Sequence, residues 1–170
     1  ANGYLAMGKQ AFECGANTFA FFTRNPRGGQ AKPIIKEDAE ALCDFMKEKQ
    51  FGKIVIHAPY TLNACSDKES VREFAIDVFK QDLQILKRIP NSMYNFHPGS
   101  HVGIGVEKGI HNIIEGLNIV FQNTKDSNVM ILLETMAGKG SEIGRNIEEI
   151  KTIIEGVYNQ ERIGVCLDTC

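Results

Sequence analysis

The chain has 170 residues, 43% of them hydrophobic and 24% charged, with a formal net charge of −2. That is the size of one soluble domain with a real core; the apolar content excludes a disordered chain, and no apolar run reaches the length of a membrane span. The near-neutral balance excludes a wholesale basic coat, so any nucleic-acid contact must be local.

In chain order, the first predicted element is a helix over 4–14, stopped by Gly15. A strand-like run follows over 17–23, then a helix over 38–51 and a second strand over 52–57. The next helix opens at Ser66, whose hydroxyl is placed to cap while Glu69 answers three residues later. It continues with Val71, Phe74, Ala75, Val78, Phe79, Leu83 and Leu86 on one stripe and ends before Pro90. A strand over 92–97, a helix containing His111, a strand over 128–134, a helix over 143–157 and a strand over 163–168 complete the series. Ile54-Val55-Ile56 and Val129-Met130-Ile131-Leu132-Leu133 are continuous apolar runs, which suit parallel strands buried on both faces.

Strand followed by helix, repeated, means α/β with parallel strands. The strand ends recur every 34–40 residues. That period fits a (β/α)8 TIM barrel, whose eight units need roughly 250 residues. About five strands are expected here, with a helix ahead of the first and the last residues of a strand at the end. The expectation is therefore a single domain over 1–170, a partial TIM barrel truncated at both ends. A doubly wound open sheet is the structural alternative. The opening Ala1-Asn2-Gly3-Tyr4 carries no secretory signal. The five cysteines (Cys14, Cys43, Cys65, Cys166, Cys170) are odd in number and irregularly spaced, which fits reduced thiols in a cytoplasmic protein.

The polar residues at the strand ends are the most informative pattern. Four apolar runs end on His57, His97, Glu134 and Asp168. In barrels and open α/β sheets, the carboxyl ends of strands face the site. A single such residue is most often a hydrogen-bonded turn residue, but four at one register converge two imidazoles and two carboxylates on one mouth. Mixed His/Asp/Glu ligation suits Zn²⁺, Mn²⁺ or Fe²⁺, and a carboxylate can bridge two ions. His101, four residues past His97, is a candidate supporting group beside the ligands, a substrate contact, or a loop histidine without a role. His111 reads as a surface residue.

Glycine-rich loops follow the strands at Gly99/Gly103/Gly105 and at Ala137-Gly138-Lys139-Gly140-Ser141. Neither fits a dinucleotide or P-loop fingerprint, so NAD and ATP are not expected. After the first strand, Thr23 to Lys32 carries three basic residues among turn formers, an exposed positive loop on the ligand face. Such a loop is ordinarily just solvated; its functional use would be phosphate contact or an arginine wedge in a duplex. Tyr60, three residues after His57, would be an aromatic partner on the neighbouring loop, or equally a core tyrosine.

Taken in order, Gly3-Tyr4-Leu5-Ala6-Met7, Gly15-Ala16-Asn17-Thr18-Phe19, Phe22-Thr23-Arg24-Asn25-Pro26-Arg27, His57-Ala58-Pro59-Tyr60, Asn95-Phe96-His97-Pro98-Gly99-Ser100-His101, Glu134-Thr135-Met136-Ala137-Gly138 and Gly164-Val165-Cys166-Leu167-Asp168-Thr169-Cys170 resemble the endonuclease IV (deoxyribonuclease IV) family, AP endonuclease family 2. The resemblance runs along essentially the whole chain. It implies a xylose-isomerase-like TIM barrel that cuts DNA 5′ to abasic sites in base-excision repair, using three zinc ions. By position it implies His57 and His97 as ligands of the first zinc. Glu134 becomes the catalytic carboxylate bridging the first and second, and Asp168 a ligand of the second. Arg27 corresponds to an arginine pushed into the DNA and Tyr60 to a tyrosine holding the kinked duplex, with Asn25 beside them as a further DNA contact. The implied partner is double-stranded DNA with abasic sites, without a membrane, for a protein that is monomeric when full-length. The family motif runs from Asp-Thr-Cys into a histidine of the third zinc, whereas this sequence ends at Cys170. The resemblance thus implies a full first-zinc set, half of the second and none of the third, so fewer than three zinc ions and an isolated chain short of full activity.

Two other readings share the sequence features. One is a metal-dependent sugar isomerase or epimerase on the same barrel, which would need no DNA-wedge loop. The other is a non-catalytic, truncated metal- or DNA-binding module. A five-strand arc also leaves two open edges, so the isolated chain is expected to be poorly soluble, self-associating, or ordered only in a crystal context.

Overall fold

The computed structural model describes residues 3–28, 30–31 and 33–169. Five β/α steps follow one another: α1 (Tyr4–Glu13), β1 (Ala20–Phe22), α2 (Lys36–Glu48), β2 (Ile54–His57), α3 (Glu69–Leu86), β3 (Ser92–Phe96), α4 (Val106–Asn123), β4 (Met130–Glu134), α5 (Ile147–Gly156), a 3₁₀ turn (Gln160–Arg162) and β5 (Ile163–Cys166). The sheet order is β1-β2-β3-β4-β5 and every pairing is parallel. Each strand adds on the same side of the one before, as in a barrel. A doubly wound sheet would reverse direction at a switch point, so that alternative is excluded.

Strand alternation divides the sheet into two faces. Ile54, Ile56, Tyr94, Phe96, Ile131 and Leu133 are fully buried and belong to one core with Leu42, Leu83, Ile113, Leu117 and Phe121 from the helices. The intervening residues, His57, Asn95, His97 and Glu134 among them, share the other face. Those strands are therefore not apolar on both sides at their carboxyl ends. Val165 and Leu167, near the β5 edge, are exposed.

Helix ends differ from the sequence expectation for identifiable reasons. Gly15 stops α1 as expected: it takes φ 76°, and Ala16 N–H bonds to Ala11 O at 3.0 Å. α2 ends at Glu48, because Gln50 adopts φ 54° and Phe51 N–H returns to Met46 O at 2.8 Å in the same kind of cap. Ser66 does not cap α3, correcting the expected capping box. The N-cap is Lys68, and Ser66 Oγ accepts from Lys68 N–H at 3.1 Å in the preceding turn. A side-chain cap with that spacing forms at Asn146, whose Oδ1 accepts from Glu149 N–H at 2.9 Å, so α5 begins at Ile147 rather than near 143. Phe74, expected on the buried stripe of α3, is exposed.

The loops after the strands are stitched along one rim. Tyr60 N–H donates to Pro26 O at 2.8 Å. Asn63 Nδ2 donates to Ser100 O at 3.0 Å, and its Oδ1 accepts from Ser100 N–H at 3.2 Å. Gly99 is the residue this approach permits: its φ is 105°, and a Cβ there would run into the Asn63 side chain. His101 N–H donates to Ser141 O at 3.0 Å, and Ile143 N–H to Gly99 O at 2.9 Å. These bonds hold successive loops to one another around the carboxyl ends of the strands.

Candidate metal centre

Three of the four expected ligands meet. His57 closes β2, Glu134 closes β4, and His97 follows β3 by one residue. His57 Nε2 lies 3.0 Å from Glu134 Oε2, and His97 Nε2 lies 3.3 Å from the same oxygen. One ligand atom from each residue falls within 4.8 Å of the other two. His57 Nδ1 donates to Ala58 O at 2.6 Å, which fixes the ring and leaves Nε2 to face the carboxylate. Burial, the largest influence on His97, lowers its pKa below the ordinary imidazole value; the charge of His57 adds to this, while Glu134 opposes it. The neutral imidazole is the form that binds metal.

Two imidazole nitrogens and one carboxylate oxygen this close, half-buried, fit a divalent transition ion. His57 Nδ1–H is committed to Ala58 O, so its Nε2 is the nitrogen left to share an ion with His97 Nε2 and Glu134 Oε2.

Asp168 stands apart from this group. β5 ends at Cys166, and Asp168 lies two residues beyond it, exposed on the rim of a cleft of about 270 Å³ that His97, Glu134 and Lys139 also line. Its backbone N–H donates to Thr135 Oγ1 at 2.9 Å, and that hydroxyl donates to Asp168 O at 3.3 Å. His101 is likewise outside the three-residue group. Its Nδ1 accepts from Gly103 N–H and Gly105 N–H, both at 3.3 Å, so it shapes the loop ahead of α4. His111 is exposed and lies 3.4 Å from Glu115 along α4.

Tyr60 is not a core residue. It is 56% exposed, and its ring centroid lies 5.3 Å from that of His57 and 5.4 Å from that of His97, covering the two imidazoles from the solvent side. Asn25 and Arg27 are exposed on the loop joined to Tyr60 through Pro26. Asn25 Oδ1 accepts from Arg27 N–H at 2.9 Å, a turn that presents the arginine outward. The expectation of three exposed basic residues needs correction at Arg24, which is 6% exposed and paired with Asp82. Lys32 lies outside the described residues.

Sequence alone does not single out Asn95. Its Nδ2 donates to Glu134 Oε2 at 2.6 Å. The only signal of it along the chain is its place in the 95–101 motif. No helix among the described residues is long and apolar enough to cross a membrane.

The profile of the family described as xylose isomerase-like TIM barrel matches residues 9–170. The chain is 53% identical over its whole length to a protein of Alkaliphilus oremlandii named probable endonuclease 4, of which it covers 60%. Among solved structures, endonuclease IV from Thermus thermophilus superposes with a TM-score of 0.82 at 24% identity, over 99% of this chain and 58% of that one. A D-tagatose 3-epimerase-like protein superposes with a TM-score of 0.74 at 18% identity, over 94% and 59%. The chain spans about 60% of the length of the curated relatives it matches. With the family match covering residues 9–170 and five parallel strands in sequential order, the chain belongs to the xylose isomerase-like TIM barrel family.

Proposed function

We propose that the full-length protein is a zinc-dependent AP endonuclease of the endonuclease IV type, a hydrolase that cuts the DNA phosphodiester 5′ to abasic sites in base-excision repair. The observation that carries this reading is the pair of imidazoles facing one carboxylate oxygen beneath Tyr60, beside a loop that presents Arg27 to solvent. The name of the Alkaliphilus relative supports it. The activity is proposed for the whole protein, of which these residues hold part of the ligand set, and the setting for a monomeric enzyme of this kind is the cytoplasm.

His57, His97 and Glu134 would hold zinc, with Asp168 contributing from the cleft rim. A zinc centre, when bound, supplies Lewis acidity toward a phosphoryl oxygen and a nucleophile at neutral pH. Glu134 anchors both imidazoles to one point, so their nitrogens converge. Ala58 O holds His57 in the tautomer that leaves Nε2 available. Tyr60 limits water above the two rings and offers a flat surface to a displaced base or sugar. Asn25 shapes the turn, and Arg27 extends from it to reach phosphates or the gap left by a missing base. A sugar isomerase or epimerase on this barrel would also hold a metal, but it has no use for an exposed arginine loop linked to the ring that covers the ligands.

The test is nicking of a duplex carrying one tetrahydrofuran abasic analogue by the full-length protein loaded with zinc. The analogue cannot undergo β-elimination, so a cut means hydrolysis. A cut on the 5′ side, lost on chelation and with Glu134→Ala, is expected. Absence of cutting with metal fully loaded would reject the reading in favour of a sugar substrate.

A further inference from the structure

We propose that Asn95 is a positioning residue for Glu134, presetting its carboxylate for the cation; the assignment rests on reading His57, His97 and Glu134 as a metal site. Asn95 precedes His97 by two residues on β3 and is the register partner of His57 on β2. It therefore shares a face with both imidazoles and lies one step deeper than His97. Its side chain donates through Nδ2 to Glu134 Oε2 at 2.6 Å, the same oxygen that both imidazole nitrogens face. A carboxylate only accepts, so the amide nitrogen and not the amide oxygen must point at it.

The other end of the amide explains why this is more than packing. Asn95 is 3% exposed, and its Oδ1 is buried without a hydrogen-bond partner among the described residues. An asparagine kept for the core would use both ends, and an apolar residue of similar volume would leave no orphan acceptor. What asparagine adds here is a neutral donor on one carboxylate oxygen. A lysine or arginine would also hold Glu134, but its charge would compete with the cation for it. A neutral amide fixes the carboxylate orientation while leaving its charge for the metal. The carboxylate then has less freedom to lose when the ion arrives.

The experiment is a double-mutant cycle on zinc affinity, with the full-length protein titrated by Zn²⁺ against a chromophoric chelator from nanomolar to millimolar. Asn95→Leu is expected to weaken zinc binding about 10–100-fold, without lowering the metal-free melting temperature. In a Glu134→Ala background the same substitution is expected to cost less than about twofold, because the residue it acts through is gone. A purely structural role would lower the metal-free melting temperature and carry the same penalty in both backgrounds, and that result overturns the proposal. So does full zinc affinity in Asn95→Leu. If leucine cannot be packed, Asn95→Ala runs through the same cycle, and the same two results decide it. Wild-type chain that binds zinc no better than His97→Ala removes the metal site itself, and this role for Asn95 falls with it.

Discussion

Arg24 Nη2 lies 2.7 Å from Asp82 Oδ1, with both side chains almost wholly removed from solvent. The pair ties the residues just after β1 to the C-terminal half of α3, 58 positions further along the chain. Thr23 Oγ1 donates to the same carboxylate oxygen at 2.8 Å, and Tyr94 on β3 donates to the other at 2.6 Å. Burial, and then the Asp82 charge, push the Tyr94 phenol well above its ordinary pKa, so it remains a donor. One carboxylate thus satisfies three donors and fixes the start of the loop that carries Asn25 and Arg27.

Removing that carboxylate takes away the anionic partner 2.7 Å from Arg24 Nη2 and the acceptor of the buried Thr23 and Tyr94 hydroxyls. Asp82→Ala is therefore expected to cost about 3–5 kcal/mol of stability, the scale for breaking a buried pair from one side. Urea unfolding monitored by circular dichroism measures it. A loss below about 1 kcal/mol would mean that the network contributes nothing beyond a surface ion pair.

The cap of α5 is a separate contribution. Asn146→Ala deletes the acceptor of Glu149 N–H and is expected to destabilise the chain by about 1 kcal/mol. The same unfolding experiment reads it, and an unchanged midpoint would show that α5 takes its start from packing alone.

Arg27 is tied to its loop through the backbone, by the bond from its N–H to Asn25 Oδ1, while its side chain faces solvent. Arg27→Ala is expected to leave the melting temperature and zinc affinity unchanged and to weaken binding to abasic duplex. The slope of log affinity against log salt should become shallower by about one unit. Fluorescence anisotropy across a salt series decides this, and an unchanged slope would remove the arginine from the DNA surface.

The thiols should separate by reactivity. Cys65 is buried, and burial pushes its pKa up to about 12, whereas Cys14 is exposed. At pH 8 iodoacetamide is expected to label Cys14 in the native chain and to spare Cys65. The linkage has a definite sign: a folded-state pKa above the ordinary value of 9.0 favours the folded state below pH 9. That contribution is lost as pH rises from 9 toward 12. Peptide mapping after alkylation, with stability followed across that range, tests both statements; early labelling of Cys65 would contradict them.

Local patterns are legible where one residue type signals one role. Gly15 ends α1 as expected, and the strand positions of His57 and Glu134 can be read because apolar runs stop on a polar residue. Patterns of equal form are not equal in fact. Ser66 and Glu69 have the spacing of a capping box, yet the helix starts at Glu69, while Asn146, at the same spacing from Glu149, does cap its helix. Spacing alone does not reveal which turn the backbone enters.

The alternation of strand and helix, the parallel arrangement, the expected convergence of strand ends on one mouth and the family resemblance can all be read along the chain. These follow from periodicity and from runs of residues that are neighbours along the chain. Other features come from packing alone: His57, His97 and Glu134 meet while Asp168 stays on the rim, Arg24 turns inward while Arg27 remains outside, and Asn95 grips the shared carboxylate. Each residue drawn into these contacts meets a partner far along the chain, 58 positions away for Arg24, 77 for His57 and 39 for Asn95. A charged or amide side chain takes its role from the dielectric and the donors around it, and only the packed sheet and helices supply those.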